Sequence, residues 1–405
     1  MTEVVDELGL SCTTTSAASP ALFNDVIDAY LGSSPRVVPL LDNLLASDPE
    51  MPLALVLRGY LLKLAADPRL AGAITQIHAR LTQLREVNPR EQMHIAAFNR
   101  WADGDMIGAT EILETLLLTH PKDMLALRVA HYLHFYAGDS GAMQASVARS
   151  VSLWRPDERF YGYLLGMYAF GLEEAGDYEA AEARGRTAID INRGDIWAGH
   201  AVTHVFQMQQ RFDEGVDWLA ALLPAWVETN NFRYHLHWHK ALCHIGLGDA
   251  DTALGIFDEH LEAALADDFY LDVCNAASLL WRLDLLGVAT GERWETLRDL
   301  SRARVRDDEL IFSSLHYLMG PVRLGDEEAV QAALGHLAAW AETNTTQGRV
   351  CRQVGLSLGQ AIACLGRGDT QQARDLFMHA RDQVYLIGGS HAQRDLFNLL
   401  HASTL

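Results

Sequence analysis

The segment Gly171–Asp195 reads GLEEAGDYEAAEARGRTAIDINRGD and contains two helical patterns joined by a single glycine-aspartate turn. Glycine readily takes the left-handed conformation that ends a helix, and aspartate accepts hydrogen bonds from the first N–H groups of the next helix. Ala181 and Ala188 are seven residues apart, so they lie on one face of the second helix, where small side chains allow close packing. The segment therefore predicts a pair of packed helices.

The same turn recurs along the chain, each time between two helical patterns. It is found at Gly104-Asp105, Gly138-Asp139, Gly176-Asp177, Gly248-Asp249, Gly325-Asp326 and Gly368-Asp369. Proline falls mainly between the patterns, where it resets the chain and starts the next helix. No Asn-Gly or Asp-Gly hairpin signal separates alternating runs, so we expect no strands. Repetition of one supersecondary unit is typical of solenoid proteins.

This unit resembles the tetratricopeptide consensus, with the aromatic Tyr178 directly after the turn and alanines at the packing positions. We expect an all-α, tetratricopeptide-like α-solenoid of about nine helix pairs, curled into a superhelix. The first helices of these pairs begin near Met51, Glu91, Asp123, Glu158, Asp195, Phe232, Phe269, Asp308 and Thr346, and a final helix begins at Ser390. Residues 1–21 are predicted to be an N-terminal extension, and residues 22–405 a single helical repeat domain. The alternative is an irregular all-α protein.

Composition limits the classes of partner. The chain has 405 residues and a formal net charge of −21, which argues against nucleic acid and anionic membrane surfaces as partners. Its five cysteines are scattered without a CxxC motif, which predicts neither a disulfide framework nor a thiolate zinc site. No apolar run is long enough for a signal peptide or a membrane span. We therefore expect a cytoplasmic protein.

Histidines are paired on two successive first helices of the repeat. The segment IWAGHAVTHVFQMQQR (Ile196–Arg211) carries His200 and His204, and NFRYHLHWHKALCHIGLG (Asn231–Gly248) carries His235 and His239. Each pair is spaced i, i+4, so both imidazoles lie on one face of their helix. Because equivalent positions are 35 residues apart, about one tetratricopeptide period, we expect all four imidazoles to face the same space.

Three interpretations of these four histidines stay open. They either fill an inner face and bind nothing, or line a metal-free ligand or catalytic pocket, or hold a metal ion. Two histidines at i, i+4 can chelate one ion, and a third ligand completes a common catalytic zinc arrangement. The metalloprotease motif HExxH is excluded, since Ala201 stands where that motif needs glutamate. No cofactor is required by the sequence, and a divalent metal is the one kind that it suggests.

Other polar and aromatic residues near the histidines are candidates for the same pocket. Asp272 is one repeat further on, where it would orient a histidine, and Arg282 lies among apolar neighbours in ASLLWRLDLLG. Either Arg282 pairs with a carboxylate or it faces the groove. Apolar walls with a few polar groups are typical of small-molecule sites. The aromatic candidates for such walls are Tyr163, Trp197, Trp238 and Trp281.

A second motif, YLIGGSHAQRDLF (Tyr385–Phe397), lies near the C-terminus. Ser390 and Gln393 fit a capping box, which accounts for part of the motif. His391, Arg394 and Asp395 are left on the first helical turn, where a helix N-terminus favours anions and an arginine can clamp a carboxylate or phosphate. The alternative for Arg394 and Asp395 is a surface ion pair of little energetic value.

The segments GHAVTHVFQMQQRFDEG, HLHWHKAL, NAASLLWRLDLLGV and IGGSHAQRDLF together resemble the tetratricopeptide repeat protein 38 family, in that family's order, from about Pro35 onward. The resemblance implies a soluble α-helical repeat protein and brings no established reaction. It also implies that the polar positions are a family feature. The matching positions are His200, His204, His239, Asp272, Arg282, His391, Arg394 and Asp395. His237 departs from the family pattern, where an aromatic residue is usual.

Together these features predict a concave pocket, lined by His, Asp and Arg, that binds a small anionic organic ligand. If the protein is an enzyme, hydrolysis or another acid–base reaction is expected, with a histidine as base or water activator. The alternative is a non-catalytic scaffold that assembles protein partners along its concave face.

Overall fold

The computed structural model describes residues 2–405, which are almost entirely helical. A two-stranded sheet, β1 (Thr2–Val5) and β2 (Ser11–Thr14), precedes the helices. The helices that follow are α1 (Ser19–Leu31), α2 (Val37–Ser47), α3 (Pro52–Leu64), α4 (Ala71–Gln83), α5 (Pro89–Ala102), α6 (Met106–Thr119), α7 (Met124–Tyr136), α8 (Ser140–Val151), α9 (Tyr161–Glu174), α10 (Tyr178–Ile191), α11 (Ile196–Met208) and α12 (Phe212–Leu222).

The chain continues in the same way to its end. The remaining helices are α13 (Phe232–Gly246), α14 (Ala250–Ile256), α15 (Glu262–Ala264), α16 (Tyr270–Leu285), α17 (Arg293–Ala303), α18 (Ile311–Leu324), α19 (Glu327–Ala341), α20 (Thr346–Val350), α21 (Leu356–Gly366), α22 (Thr370–Ala380) and α23 (His391–Ala402). Two π-helical turns, Phe257–Leu261 and Cys351–Gly355, join α14 to α15 and α20 to α21. Short 3-10 segments lie at Pro68–Leu70, Leu223–Trp226, Leu265–Asp267 and Arg381–Ile387.

The six glycine-aspartate turns have the predicted geometry. All six glycines have positive φ, between +67° at Gly325 and +86° at Gly176. All six aspartates cap the following helix through the side chain, as Asp177 does by accepting from Ala180 N. The predicted first helices begin within three residues of the observed ones. The all-α, tetratricopeptide-like α-solenoid of successive helix pairs is thus confirmed.

Small residues of α10 allow this helix to pack closely against its neighbours. Ala181 and Ala188 of α10 are fully buried. A Cβ atom added at Gly185 would lie 2.4 Å from a methyl carbon of Val202, so only glycine fits at the contact with α11. The side-chain size at these positions, rather than helix propensity, sets how closely successive helices pack.

The N-terminal segment contains two strands, so the expectation that the chain has none is wrong there. β1 and β2 pair antiparallel, with Val5 opposite Ser11. The turn between them is longer than the two-residue turn that marks most hairpins in a sequence. Asp6 accepts hydrogen bonds from Leu8 N and Leu10 N, and Gly9 has φ +80°. α1 begins at Ser19, so a further helix pair, α1 and α2, precedes the first predicted one.

The described chain divides into two compact units. Unit 1 comprises residues up to Phe135 together with Asp139–Val205 and Leu222–Asn230, and unit 2 comprises Tyr136–Gly138, Phe206–Ala221 and Asn231–Leu405. The single repeat domain over residues 22–405 and its superhelical curl stay predictions. Within residues 2–405, no helix combines the length and the apolar character needed to cross a membrane. The cytoplasmic location stays a prediction.

Candidate functional site

In unit 1, the histidine pair of α11 meets two carboxylates at the end of α9. The Nε2 atoms of His200 and His204 lie 2.8 Å apart, and both rings are buried. Nδ1 of His204 lies 3.3 Å from Oε2 of Glu173, which is 0% exposed. Because a carboxylate oxygen accepts, this contact favours a proton on Nδ1 of His204. The lone pair of Nε2 is then directed towards His200.

Glu174 adds a second carboxylate to this cluster. Its Oε1 lies 3.9 Å from Nδ1 of His204. The donor atoms of Glu173, Glu174 and His204 all lie within 4.8 Å of one another, and the three side chains are buried. Imidazole nitrogens and carboxylate oxygens together are the donor set of many zinc and non-haem iron sites.

Aromatic rings enclose the pair on α11. Phe170 of α9 stacks on His200, with ring centroids 5.3 Å apart and an interplanar angle of 27°. The ring of Trp197 lies 5.4 Å from His200 and 5.0 Å from Phe170. Trp197, one of the four predicted aromatic wall residues, therefore lies beside the α11 pair. Tyr163, in the same unit, has its hydroxyl group beside Gly32 instead.

Asp195 lies at the N-terminus of α11 and is fully buried. Its Oδ1 accepts from Ala198 N at 3.0 Å and so caps the helix. Its Oδ2 has no hydrogen-bond partner among residues 2–405. Burial disfavours the charged form and raises the pKa of this carboxyl to about 7.

In unit 2, the α13 pair has the same local arrangement. The Nε2 atoms of His235 and His239 lie 3.1 Å apart. Nδ1 of His235 lies 2.9 Å from Oδ1 of Asn275, and Nδ1 of His239 lies 2.7 Å from Oε1 of Gln207. These amide oxygens favour Nδ1–H on both rings, as second-shell partners of metal-ligating histidines do. A single site shared by all four histidines stays a prediction.

The other candidates of unit 2 have different neighbours. Asp272 accepts from Asn231 Nδ2 at 2.7 Å, and burial raises its pKa to about 7. Trp238 stacks on His235 at 5.2 Å. Trp281 instead packs edge-on against Trp294, with ring centroids 6.1 Å apart.

Arg282 connects α16 to the C-terminal helix. It donates to the backbone oxygen of Ala392 at 2.9 Å and to the hydroxyl group of Ser278. Its guanidinium carbon lies 5.7 Å from the Trp238 ring centroid. Burial lowers the pKa of Arg282 to about 10, and the charge of Asp395 partly opposes this effect. Within unit 2, the C-terminal motif therefore comes close to α16.

The C-terminal motif contains the predicted capping box. Ser390 Oγ accepts from Gln393 N, and Gln393 Oε1 accepts from Ser390 N. Arg394 is buried, donates to the Gly389 carbonyl oxygen and lies with Nη2 3.3 Å from Nδ1 of His391. These two contacts lie within the first turn of its own helix and the residues that precede it, while the side chains of His391 and Asp395 are exposed.

Sequence reasoning missed four buried polar residues of unit 1, two beside His204 and two beside Trp197. Glu173 and Glu174 directly precede a glycine-aspartate turn and look like solvated helix ends in the sequence. Arg128 and His131 of α7 are 2% and 1% exposed. Their i, i+3 spacing on a first helix of the repeat was the available signal.

Comparison with known proteins adds fold-level similarities. No family model matches the chain. A Rap protein complexed with competence and sporulation factor is 12% identical, over 86% of this chain and 99% of that one, with a TM-score of 0.45. The human IFIT1 dimer with PPP-AAAA is 13% identical over 94% and 95%, with a TM-score of 0.39. The TPR domain of P58(IPK) is 13% identical over 78% and 99%, with a TM-score of 0.25.

The helices and turns described above define the class of this protein, an all-α protein of tetratricopeptide-like helix pairs. Membership of the tetratricopeptide repeat protein 38 family stays a prediction.

Proposed function

We propose that the protein binds a divalent transition metal in unit 1, through Glu173, Glu174 and His204, and uses it in hydrolysis of a small organic ligand. The observation that carries this proposal is the convergence of the two carboxylates of α9 on Nδ1 of His204 from α11 in a buried place, with His200 against the other ring nitrogen of His204. The same residues could serve metal-free acid–base chemistry, with Glu173 orienting His204.

The donor chemistry suits zinc first. Zinc takes nitrogen and oxygen ligands at about 2.0–2.2 Å, and catalytic zinc sites have three protein ligands and an open position for water. Donor atoms that share one ion lie up to about 4.4 Å apart at such bond lengths. The donor atoms of Glu173, Glu174 and His204 all lie within 4.8 Å of one another, so they need adjustments of only a few tenths of an ångström. A bound metal ion lowers the pKa of water and supplies a nucleophile near neutral pH. The phenyl ring of Phe170 and the indole of Trp197 would restrict the access of bulk water to that nucleophile.

Elemental analysis of tag-free protein, dialysed first against zinc and then against metal-free buffer, tests the proposal. We expect about one zinc ion per chain at the unit 1 site. The His200→Gln/His204→Gln variant should lose that ion. His134→Gln is the matched control, because His134 also contacts a glutamate, Glu114, at 2.9 Å, but lies outside the cluster. The control should keep the wild-type zinc content.

The competing function is a scaffold for protein partners, which requires only the helix pairs. Wild-type protein that holds no zinc, iron or manganese after dialysis, with unchanged helical content, would contradict the metal-dependent function. A zinc content that is equal in the wild type and the double variant would also contradict it, because the ion would then lie elsewhere.

A further inference from the structure

A buried arginine of unit 1 forms no ion pair with a carboxylate of the described residues. Arg128 of α7 is 2% exposed, and its guanidinium carbon lies 4.1 Å from the ring centroid of Trp197 and 4.6 Å from that of Tyr132. Its Nη2 donates to the Tyr132 hydroxyl group at 3.1 Å, and its Nε has no hydrogen-bond partner within residues 2–405. No ion pair of this guanidinium exists in the described part of the chain.

A buried arginine of α5, a first helix earlier in the chain, has a carboxylate partner. Arg90 of α5 is 4% exposed, and its Nε donates to Oδ2 of Asp123 at 2.6 Å. Burying a charge without such a partner costs several kcal/mol, so unpaired arginines are rare in protein interiors. The surroundings of Arg128 therefore lack a charge partner, which a bound anion would supply.

Two neighbours of Arg128 have unused hydrogen-bonding capacity. Both ring nitrogens of His131 are buried without a hydrogen-bond partner among the described residues. Its ring lies 5.8 Å from that of Trp197, on which Arg128 is stacked. Burial, with the charge of Arg128, keeps the pKa of His131 well below its usual value, so this ring is neutral and offers one donor and one acceptor. Oδ2 of Asp195, whose carboxyl group interacts electrostatically with Arg128, is likewise without a partner within residues 2–405.

We propose that Arg128 and His131 form an oxyanion subsite that binds the carboxylate or phosphate group of a small organic ligand in unit 1. The guanidinium group would donate to the oxyanion through its unused N–H groups, and neutral His131 would donate one further hydrogen bond. The indole of Trp197 contacts both Arg128 and His200, and His200 contacts the proposed metal ligand His204, so the subsite lies near the proposed metal site. Anion binding at this subsite does not depend on the proposed function, and only the reaction of the bound ligand does. The inference adds to the proposed function the class of ligand, a small organic molecule with a carboxylate or phosphate group.

Thermal denaturation with two probes, inorganic phosphate and benzoate, tests the subsite. Benzoate combines a carboxylate with a flat apolar body that suits the aromatic rings of Trp197 and Phe170. We expect at least one probe to raise the Tm of the wild type by several degrees at millimolar concentration. Arg128→Met keeps an unbranched apolar stem on Trp197 but removes the charge, and its Tm should not respond. The matched control is Arg85→Met, which removes an exposed charge of unit 1 and should respond as the wild type does.

The Tm without any probe supplies a second readout. Because Arg128→Met removes an unpaired buried charge, this variant should unfold at the same temperature as the wild type or higher. A lower Tm together with no response of the wild type to either probe would show a purely structural arginine and overturn the inference. An equal response of wild type and Arg128→Met would place the anion elsewhere and overturn it as well. Zinc content, measured on the same samples, reports separately on the metal site.

Discussion

Asp123 and Asp195 occupy equivalent helix-cap positions in unit 1, but within residues 2–405 only Asp123 has side-chain partners at its second carboxylate oxygen. Both cap a first helix of the repeat through Oδ1. Oδ2 of Asp123 contacts Arg90 and His94, which stand 33 and 29 residues before it. At the same separations before Asp195 the sequence has Gly162 and Gly166, and a Cβ at Gly166 would lie 2.7 Å from Oδ2 of Asp195. The repeat therefore keeps the helix cap but omits the partners of the second oxygen.

This difference predicts a pH dependence for Asp195→Asn, which keeps a good capping side chain. The folded-state pKa of Asp195 is raised to about 7, so the folded protein binds a proton that the unfolded chain has released. The wild type therefore loses stability as the pH rises from about 4 to about 7, by up to ~4 kcal/mol relative to Asp195→Asn. Urea denaturation at pH 4, 5.5, 7 and 8 measures this difference, which should level off above pH 7.

Asp123→Asn is the matched control for this experiment. Arg90 and His94 hold the pKa of Asp123 well below its usual range despite full burial. Its stabilising contribution is complete above the unfolded-state pKa of about 4 and is lost only as the pH falls below that value. The control variant should therefore be less stable than the wild type throughout the range from pH 4 to 8. A flat difference for Asp195→Asn over that range would contradict a raised pKa at this residue.

Individual site residues were predictable where spacing alone places them together. The i, i+4 pairs His200/His204 and His235/His239 needed only helical geometry, and each pair brings its own Nε2 atoms to about 3 Å. Partners from other helices were not predictable. Glu173, Asn275 and Gln207 reach the histidines because of how successive helices are rotated, which side-chain packing decides and no local pattern encodes.

At the scale of the elements, the turn between α11 and α12 departs from the repeated glycine-aspartate form. Between α11 and α12 the sequence has Gln210-Arg211, and Gln210 has φ +58° although it carries a side chain. The left-handed conformation costs an L-residue roughly 1 kcal/mol or more. The turn geometry is therefore preserved without the residue that suits it.

We expect Gln210→Gly to stabilise the protein by about 1 kcal/mol, since it relieves this strain at an exposed position. Gly176→Gln is the reverse change in an equivalent turn, where φ is +86° and a Cβ atom would meet nothing within 4 Å. It should destabilise by a similar amount, because only the backbone conformation is affected. Chemical denaturation of both variants measures the two effects, and shifts of the same sign would refute this account of the turn.

Gln207 links α11 to the histidine pair of α13, both contacts lying within unit 2. Its Oε1 lies 2.7 Å from Nδ1 of His239, and its Nε2 donates to the His239 carbonyl oxygen at 3.0 Å. Gln207→Leu should destabilise by roughly 1–3 kcal/mol, because it leaves Nδ1 of the fully buried His239 without this acceptor. Gln209→Leu, an exposed neighbour, should change stability by less than about 0.5 kcal/mol. Equal effects in urea unfolding would show that the contact with His239 contributes little.

For the whole molecule, the fold was more predictable from the sequence than the site was. The fold depends on a local sequence signal, the glycine-aspartate turn, that is repeated along the chain. Each glycine-aspartate turn specifies a helix end and a helix start within a few residues, and six of them fix the register of the helix pairs. The N-terminal hairpin has no such repeat. It is held by single long-range contacts, such as the hydrogen bond from Thr13 N to Oε1 of Glu91 at 2.7 Å. No repeated sequence pattern predicts such contacts.

The net charge of −21 acts at the scale of the whole chain and predicts its response to nucleic acid. Binding to a phosphate backbone requires clustered positive charge, and here 53 acidic residues outnumber 32 basic ones. Several of the arginines are already paired, as Arg159 is with Asp25 at 2.6 Å. At about 0.15 M salt, where the Debye length is about 8 Å, we expect no shift of single-stranded RNA or duplex DNA in a gel mobility assay with micromolar protein. Binding that weakens steeply with salt would contradict this expectation, since it would reveal a basic groove that the overall charge hides.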